Sequence, residues 1–384
     1  MLSRHLNSLA CVSFLFAACF TGSVLGACAS ADTKTVGAGG GGGEPGDGGG
    51  SGAEGGGPGS DGGPISQPDS GVLVVDGGAI AFTNDVTIIV EPGDNGAALL
   101  AAVKAAKKSI HVEMYLMTDN NFEAALATQK AAGHDVQVLL NQNFPPGQPN
   151  LNSTAFSYLS GKGVTVKYAP TAFTFTHAKT VVIDGTDAWI MTMNTTQSSA
   201  SSNREFLVLD KDPADVSDAE KIFAADMVNQ QILLVTKLVV SPQVDSAIDA
   251  RTRMLAIING ATKTLDVMGE ELSDTGIVNA LVLRQKAGIP VRVVVSGGST
   301  PSPSQMAAVA SLKAVGVPVK SLSKPDMHAK AIVADGVRAY VGSQNFTATS
   351  LNSNRELGVL IGNATEIAKV ETSFAADFAA GTAL

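Results

Sequence analysis

The sequence predicts an α/β fold built twice over, two mixed sheets flanked by helices and related by a pseudo-twofold axis with one site between them. Three observations carry that expectation. From residue 86 onward, short β-branched runs alternate with longer stretches rich in Ala, Leu and Lys, the pattern of stacked strands and helices. The order of these runs recurs once, at a spacing of about 150 residues. Five polar residues near the end of each copy recur at one common spacing.

The elements follow in order. In the first copy, 86–90 (VTIIV) reads as a strand and 95–108 as a helix. A strand at 109–117 (SIHVEMYLM), a helix at 122–132 and a strand at 136–140 (VQVLL) come next. A short helix at 154–159 precedes a strand at 164–169. In the second copy, 238–242 (LVVSP) answers 88–92 (IIVEP), followed by a helix at 245–259. A strand at 264–270 (TLDVMGE), a helix at 275–287 and a strand at 291–295 (VRVVV) complete the parallel. KAAGHDVQVLL at 130–140 aligns with QKAGIPVRVVV at 285–295, and GVTVK at 163–167 with GVPVK at 316–320. The small drift in spacing places the insertions in loops, of which 144–152 and 296–305 would border a cleft. Repeat 1 is therefore expected over 72–231 and repeat 2 over 232–384.

The amino terminus reads as an address. Arg4 precedes an apolar run over 9–20, too short to span a bilayer, and small residues follow it. This predicts a signal peptide over 1–27. Leu25-Gly26-Ala27-Cys28 resembles the bacterial lipobox, which implies lipidation at Cys28 after cleavage. The expected location is exported and lipid-anchored, in the periplasm or at the cell surface, or else secreted. Of 41 glycines, 17 lie between Gly37 and Gly63. The stretch 28–71 has too few apolar side chains to bury a core and reads as a flexible tether, with a root-mean-square span of roughly 35 Å.

Cysteine and charge narrow the function classes. All three cysteines, Cys11, Cys19 and Cys28, fall in the first 28 residues, which excludes a disulfide scaffold and a cysteine-ligated zinc site from the folded part. The net charge is −9, of which residues 1–71 carry −4 and the remainder −5. Such a domain has no general attraction to nucleic acid or anionic lipid, although a local basic pocket stays open to it.

Chemistry concentrates in two constellations. The first comprises His177, Lys179, Asp184, Asn194 and Glu205; the second comprises His328, Lys330, Asp335, Asn345 and Glu356, each 151 positions on. HAKTVVID and HAKAIVAD read as strands ending in Asp-Gly turns, with return strands that run back to Asn194 and Asn345. In a strand, residues two apart share a face, so each His projects with its Lys. The Lys supplies charge, the Asn a neutral donor, and the His a nucleophile or a proton donor, which is half of a phosphate site. Glu205 and Glu356 could fix an imidazole tautomer. One His cannot both attack a phosphodiester and protonate the departing group on the opposite side; two can.

Other polar residues read as bland. His111 and His134 lie outside the pattern, Trp189 reads as core, and Lys104, Lys107 and Lys108 read as a solvated helix end. Glu113, Tyr115, Glu270 and Glu271 fall at strand ends that could border the cleft, with packing as the equal alternative.

HxK, four residues, D, six residues and GSxN together resemble the signature of the phospholipase D superfamily. Repeat 2 matches throughout, with Gly342 and Ser343; repeat 1 has Met191 and Thr192 at the Gly-Ser positions. The resemblance covers nearly all of 86–384. It implies a two-step displacement through a phosphohistidine, with His177 as nucleophile and His328 as general acid. It implies phosphate contacts from Lys179, Lys330, Asn194, Asn345, Thr192 and Ser343, and structural roles for Asp184 and Asp335. It calls for no metal and no cofactor. The expected activity is hydrolysis or exchange of glycerophospholipid headgroups at a membrane, by a monomer holding both half-sites, with nucleic acid a less favoured substrate. A phosphatidyltransferase of cardiolipin-synthase type, a nuclease of the same superfamily and an anchored phosphate-binding protein with an inactive site are the alternatives.

Overall fold

The computed structural model describes residues 72–75, 78–230, 234, 236–242, 248–298 and 300–384. The expected signal peptide, Cys28 and the glycine-rich tether lie outside the described residues. A hairpin of β1 (Val72–Val75) and β2 (Gly78–Ala81) leads in. Repeat 1 then runs β3 (Val86–Glu91), α1 (Ala97–Ala105), β4 (Ser109–Met114), α2 (Asn120–Ala131), β5 (Asp135–Leu140), α3 (Ser153–Gly161) and β6 (Thr165–Tyr168). It closes with β7 (Lys179–Ile183), β8 (Asp187–Met191), α4 (Gln197–Ser202), β9 (Asn203–Asp210) and α5 (Pro213–Met227). Repeat 2 runs β10 (Val239–Ser241), α6 (Ala250–Asn259), β11 (Leu265–Gly269), α7 (Thr275–Lys286), β12 (Val291–Ser296), α8 (Pro303–Lys313) and β13 (Val319–Leu322). It closes with β14 (Asp326–Met327), β15 (Lys330–Ala334), β16 (Arg338–Gly342), α9 (Ala348–Asn352), β17 (Glu356–Ile361), α10 (Ala364–Ala380) and β18 (Thr382–Ala383).

The sheets share one order, β3-β9-β8-β7-β4-β5-β6 in repeat 1 and β10-β17-β16-β15-β11-β12-β13 in repeat 2. The strands joined through α2, α3, α7 and α8 are parallel, because a helix carries the chain back before the next strand starts. The hairpins β7–β8 and β15–β16 are antiparallel.

Element ends differ from expectation where the backbone changes hand. The first helix starts at Ala97 rather than 95 because Asn95 and Gly96 take φ of 55° and 70°. The strand expected to reach 117 stops at Met114, and the return strands stop at Met191 and Gly342, three residues short of Asn194 and Asn345. α5 and α10 were not anticipated, and both bear on the site.

Among the described residues, three large apolar layers hold the fold together. One lies under α1–α3 on the outer face of repeat 1 and another under α6–α8 on repeat 2, where Ile80 and Phe82 join it. The central layer unites the repeats: Val182, Ile190, Phe206 and Val208 of one sheet meet Ala331, Val341, Leu357 and Val359 of the other, with Ile222 and Phe374 from α5 and α10. Each of these side chains is essentially fully buried, and each except Ala331 is worth on the order of 2 kcal/mol relative to exposure. Shared burial on this scale favours one fixed juxtaposition of the copies. Among the described residues no helix is long and apolar enough to cross a membrane.

Candidate active site

The two hairpins present the site from their open ends. At their closed ends Asp184 and Asp335, each at φ 57° and followed by a left-handed Gly, make tight turns of the kind that follow strand twist. The Asp184 carboxylate accepts the backbone N–H groups of Lys107, Lys108 and Ser109 at 2.9, 2.6 and 3.0 Å. Asp335 does the same for Thr262, Lys263 and Thr264 at 2.9, 2.7 and 3.0 Å. Burial pushes each carboxyl up, but these donors hold it below its ordinary value. Each Asp lies seven positions beyond its His, roughly 23 Å along an extended chain.

At the open ends the repeats cross. Thr176 pairs with Arg355 and Met327 with Arg204, two parallel bridges between sheets. His177 N–H donates to Arg355 O at 2.8 Å and His328 N–H to Arg204 O at 3.3 Å. Each histidine therefore sits beside the glutamate of the other repeat: His177 Nδ1 lies 2.8 Å from Glu356 Oε2, and His328 Nδ1 2.7 Å from Glu205 Oε1. Two arginine clamps, one buried at Arg355 and one partly buried at Arg204, reinforce the crossing. Arg204 donates to Asp377 at 2.6 and 2.9 Å, and Arg355 to Asp226 at 2.7 and 3.1 Å. These four residues, on the strand starts and on α5 and α10, escaped the sequence reading, although Arg204/Arg355 and Asp226/Asp377 share the 151-residue spacing.

Thr192 and Ser343 are placed differently from the sequence expectation. Both are wholly buried. Thr192 Oγ1 donates to Glu205 Oε2 at 2.6 Å and accepts Phe206 N–H at 2.9 Å. Ser343 Oγ accepts Leu357 N–H at 3.1 Å and bonds Glu356. Their hydroxyls are thus spent on the carboxylates and the adjacent backbone rather than on an open phosphate seat. Ser350 and Asn354 complete the shell around Glu356 Oε1. Burial raises the carboxyls of Glu205 and Glu356, but the facing imidazoles and lysines pull both below the ordinary value.

Lys179 and Lys330 are fully buried, and each Nζ donates to the carbonyl of its own motif histidine at 2.6 Å. Asn194 and Asn345 are buried, with Oδ1 atoms that make no hydrogen bond among the described residues.

The copies diverge at one position. Met114 pairs with Lys179 and Gly269 with Lys330, so the next residues, Tyr115 and Glu270, are equivalent. The Tyr115 ring lies edge-on 4.6 Å from the His177 ring and 5.0 Å from Lys179 Nζ. Glu270 Oε2 instead forms an ion pair with Lys330 Nζ at 2.7 Å and lies 3.4 Å from His328 Nε2. Burial, helped by Lys179 and Lys330, drives the His177 imidazole down to about 4 against the pull of Glu356. Carboxylate oxygens face both ring nitrogens of His328. Burial acts against ionised Glu270, yet His328 and Lys330 hold it well below the carboxylate range, while burial and Glu270 push Glu271 up to about 8.

Met191, where repeat 2 has Gly342, is buried in the outer core with Trp189 and Leu207. At Gly342 a Cβ would meet Gly358 Cα at 2.5 Å and Tyr340 Oη at 2.5 Å. The glycine makes room for the Tyr340–Gln344 hydrogen bond, and repeat 1 has Met191 and Leu207 at the positions corresponding to Gly342 and Gly358. His111 lies elsewhere, bonded to Glu220 at 2.6 Å and stacked on Phe223, and His134 bonds Gln129 at 2.6 Å. Among the described residues no group of three or more His, Cys, Asp or Glu is arranged to hold a metal ion.

The chain is similar to several known proteins. A family model described as "Cardiolipin synthase, PLD-like domain" matches residues 99–227 and again 254–378. A mitochondrial cardiolipin hydrolase of Xenopus laevis is 30% identical over 129 residues, 33% of this chain and 59% of that protein. Phospholipase D Z of Dictyostelium discoideum is 28% identical over 162 residues, 37% of this chain and 38% of that protein. The chain thus spans less than two thirds of either relative. Phosphatidylserine synthase of Haemophilus influenzae Rd KW20 superposes with a TM-score of 0.57 at 11% identity, over 78% of this chain and 87% of that one, a likeness of fold. With both repeats matched, the chain belongs to the family of cardiolipin synthase, phospholipase D-like domains.

Proposed function

We propose that the chain cleaves the headgroup phosphodiester of glycerophospholipids, passing the phosphatidyl group through His177 to water or to a second alcohol. The observation that carries the reading is the unlike setting of the two imidazoles. His177, driven down to about 4, is neutral at pH 7, and its Nδ1–H donating to Glu356 leaves the Nε2 lone pair for phosphorus. His328 instead has a carboxylate facing each ring nitrogen, Glu205 at 2.7 Å from Nδ1 and Glu270 at 3.4 Å from Nε2.

In the first step His177 Nε2 bonds to phosphorus as the bond to the headgroup oxygen breaks, and His328 gives that oxygen its proton. In the second, neutral His328 takes a proton from water or an alcohol, whose oxygen attacks phosphorus and displaces His177. Lys179, Lys330, Asn194 and Asn345 hold the non-bridging oxygens as charge shifts. Thr192 and Ser343 hold Glu205 and Glu356, and Asp184 and Asp335 hold the turns. The lipid relatives and the acidic domain support lipid over nucleic acid as substrate. The amino-terminal pattern supports export and a tether through Cys28, and the presence of both half-sites in one chain supports a monomer.

The test incubates chelator-treated full chain with phosphatidylcholine and phosphatidylethanolamine vesicles and a primary alcohol. Phosphatidic acid and phosphatidyl alcohol are expected from the wild type and from neither His177→Ala nor His328→Ala. A wild type that leaves these lipids intact sinks the reading, and DNA cleavage by the same preparation would put a nuclease in its place.

A further inference from the structure

We propose that Glu270 selects substrates whose leaving alcohol carries a positive charge, an amino alcohol rather than glycerol. The inference rests on the phosphodiesterase reading above and names the substrate class of that same site.

In-line displacement puts the attacking nitrogen and the leaving oxygen on opposite sides of phosphorus. With His177 attacking, the leaving oxygen lies against His328 Nε2. Glu270 Oε2 is 3.4 Å from that nitrogen, so the first atoms of the departing alcohol pass beside the carboxylate. Glu270 is buried, and its charge is balanced by Lys330 at 2.7 Å. A phosphodiester takes Lys330 as its own counterion. That leaves a buried carboxylate with one partner fewer, a costly state unless the substrate brings a cation of its own. An ammonium two carbons beyond the leaving oxygen lies about 4 Å further along and can fill that role. A glyceryl headgroup brings only hydroxyls, and a phosphatidylglyceryl one brings a second negative charge.

The two walls of the site differ in the same sense. On the leaving side Asp326, bonded to Ser296 Oγ at 2.9 Å and Gly298 N at 3.0 Å, adds a second carboxyl that feels Glu270 and His328. On the His177 side the Tyr115 ring packs with Phe144 at 5.2 Å and Phe175 at 6.1 Å, an aromatic wall for the retained, lipid-bearing half.

The experiment compares phosphatidylethanolamine with phosphatidylglycerol, each equally dilute in neutral detergent micelles, for the full-length wild type and Glu270→Gln. The wild type is expected to favour phosphatidylethanolamine in kcat/KM by about 10- to 100-fold, the worth of one hydrogen bond to a charged group. Glu270→Gln is expected to lose most of that ratio. Ratios within one preparation cancel its folded fraction, so misfolding cannot imitate the result. A lipid-cleaving wild type without the preference, or a preference that survives Glu270→Gln, overturns the inference alone. A wild type that cleaves neither lipid overturns it together with the phospholipase reading.

Discussion

His177 Nδ1 lies 2.8 Å from Glu356 Oε2, although the two residues are 179 positions apart and belong to different repeats. The reciprocal pair, His328 with Glu205, is 2.7 Å apart, so each motif histidine takes its motif glutamate from the other repeat. Glu356→Gln is expected to slow phosphoenzyme formation by about 10²- to 10⁴-fold, because the wrong tautomer removes the attacking lone pair. Glu205→Gln acts on the proton donor instead. With a p-nitrophenyl diester, whose leaving group needs no proton, the Glu205→Gln defect should largely vanish and the Glu356→Gln defect should persist. Rapid-quench rates on both substrates check the division, and an equal response of the two variants would refute it.

Acidity should act on the nucleophile. Burial lowers His177 to about 4, so kcat/KM should rise with pH through an acid limb near pH 4 and not near 6.5. Stability has the same sign. The unfolded imidazole takes up a proton below about 6.5 and the folded one only below about 4, so stability grows as pH climbs through that window and levels off above it. Initial rates and urea midpoints between pH 3.5 and 8 test both limbs.

A second titrating group works the other way. Burial pushes Asp210, the last residue of β9, up to about 7 and Asp215, in the first turn of α5, up to about 6. A raised carboxyl contributes stability that is full below about pH 4 and is lost as pH rises to about 7. Asp210→Asn, which keeps an acceptor for Asp212 N–H, should raise stability at pH 8 by on the order of 1–3 kcal/mol and change little at pH 4. Thermal melts at the two pH values measure it.

The arginine clamps should behave as one device with the site. Removing one partner of a buried ion pair strands the other, at a cost of about 3–5 kcal/mol. Arg204→Ala should incur that penalty against Asp377 and also loosen the strand start that holds Glu205 to His328. Denaturation of Arg204→Ala, Asp377→Ala and the double variant should show strong coupling, with the double close to either single.

The strands, the duplication and the five-residue constellation were legible because each leaves a periodic or repeated mark on the chain. The partnership of His177 with Glu356 was not. A common spacing of 151 shows that two positions correspond, and it is the same whether the residues touch within a copy or across copies. Thr192 and Ser343 were misplaced for a related reason: spacing puts a hydroxyl near a carboxylate and an imidazole without saying which it bonds. Arg204, Arg355, Asp226 and Asp377 could have been found, since they repeat at the same spacing. Glu270 could not be found that way, because it matters where the copies differ.

That difference at Tyr115 and Glu270 bears on why one chain holds both halves. Two identical subunits around a true dyad must give their two histidines identical neighbours. They cannot place a phenol ring at one and a carboxylate at the other, so such an assembly has no intrinsic front and back for its substrate. Covalent fusion lifts that restriction. Once the copies are independently variable, the crossed His–Glu pairs can stay equal while the flanking positions part company, and a cleft built from near-duplicates acquires a direction.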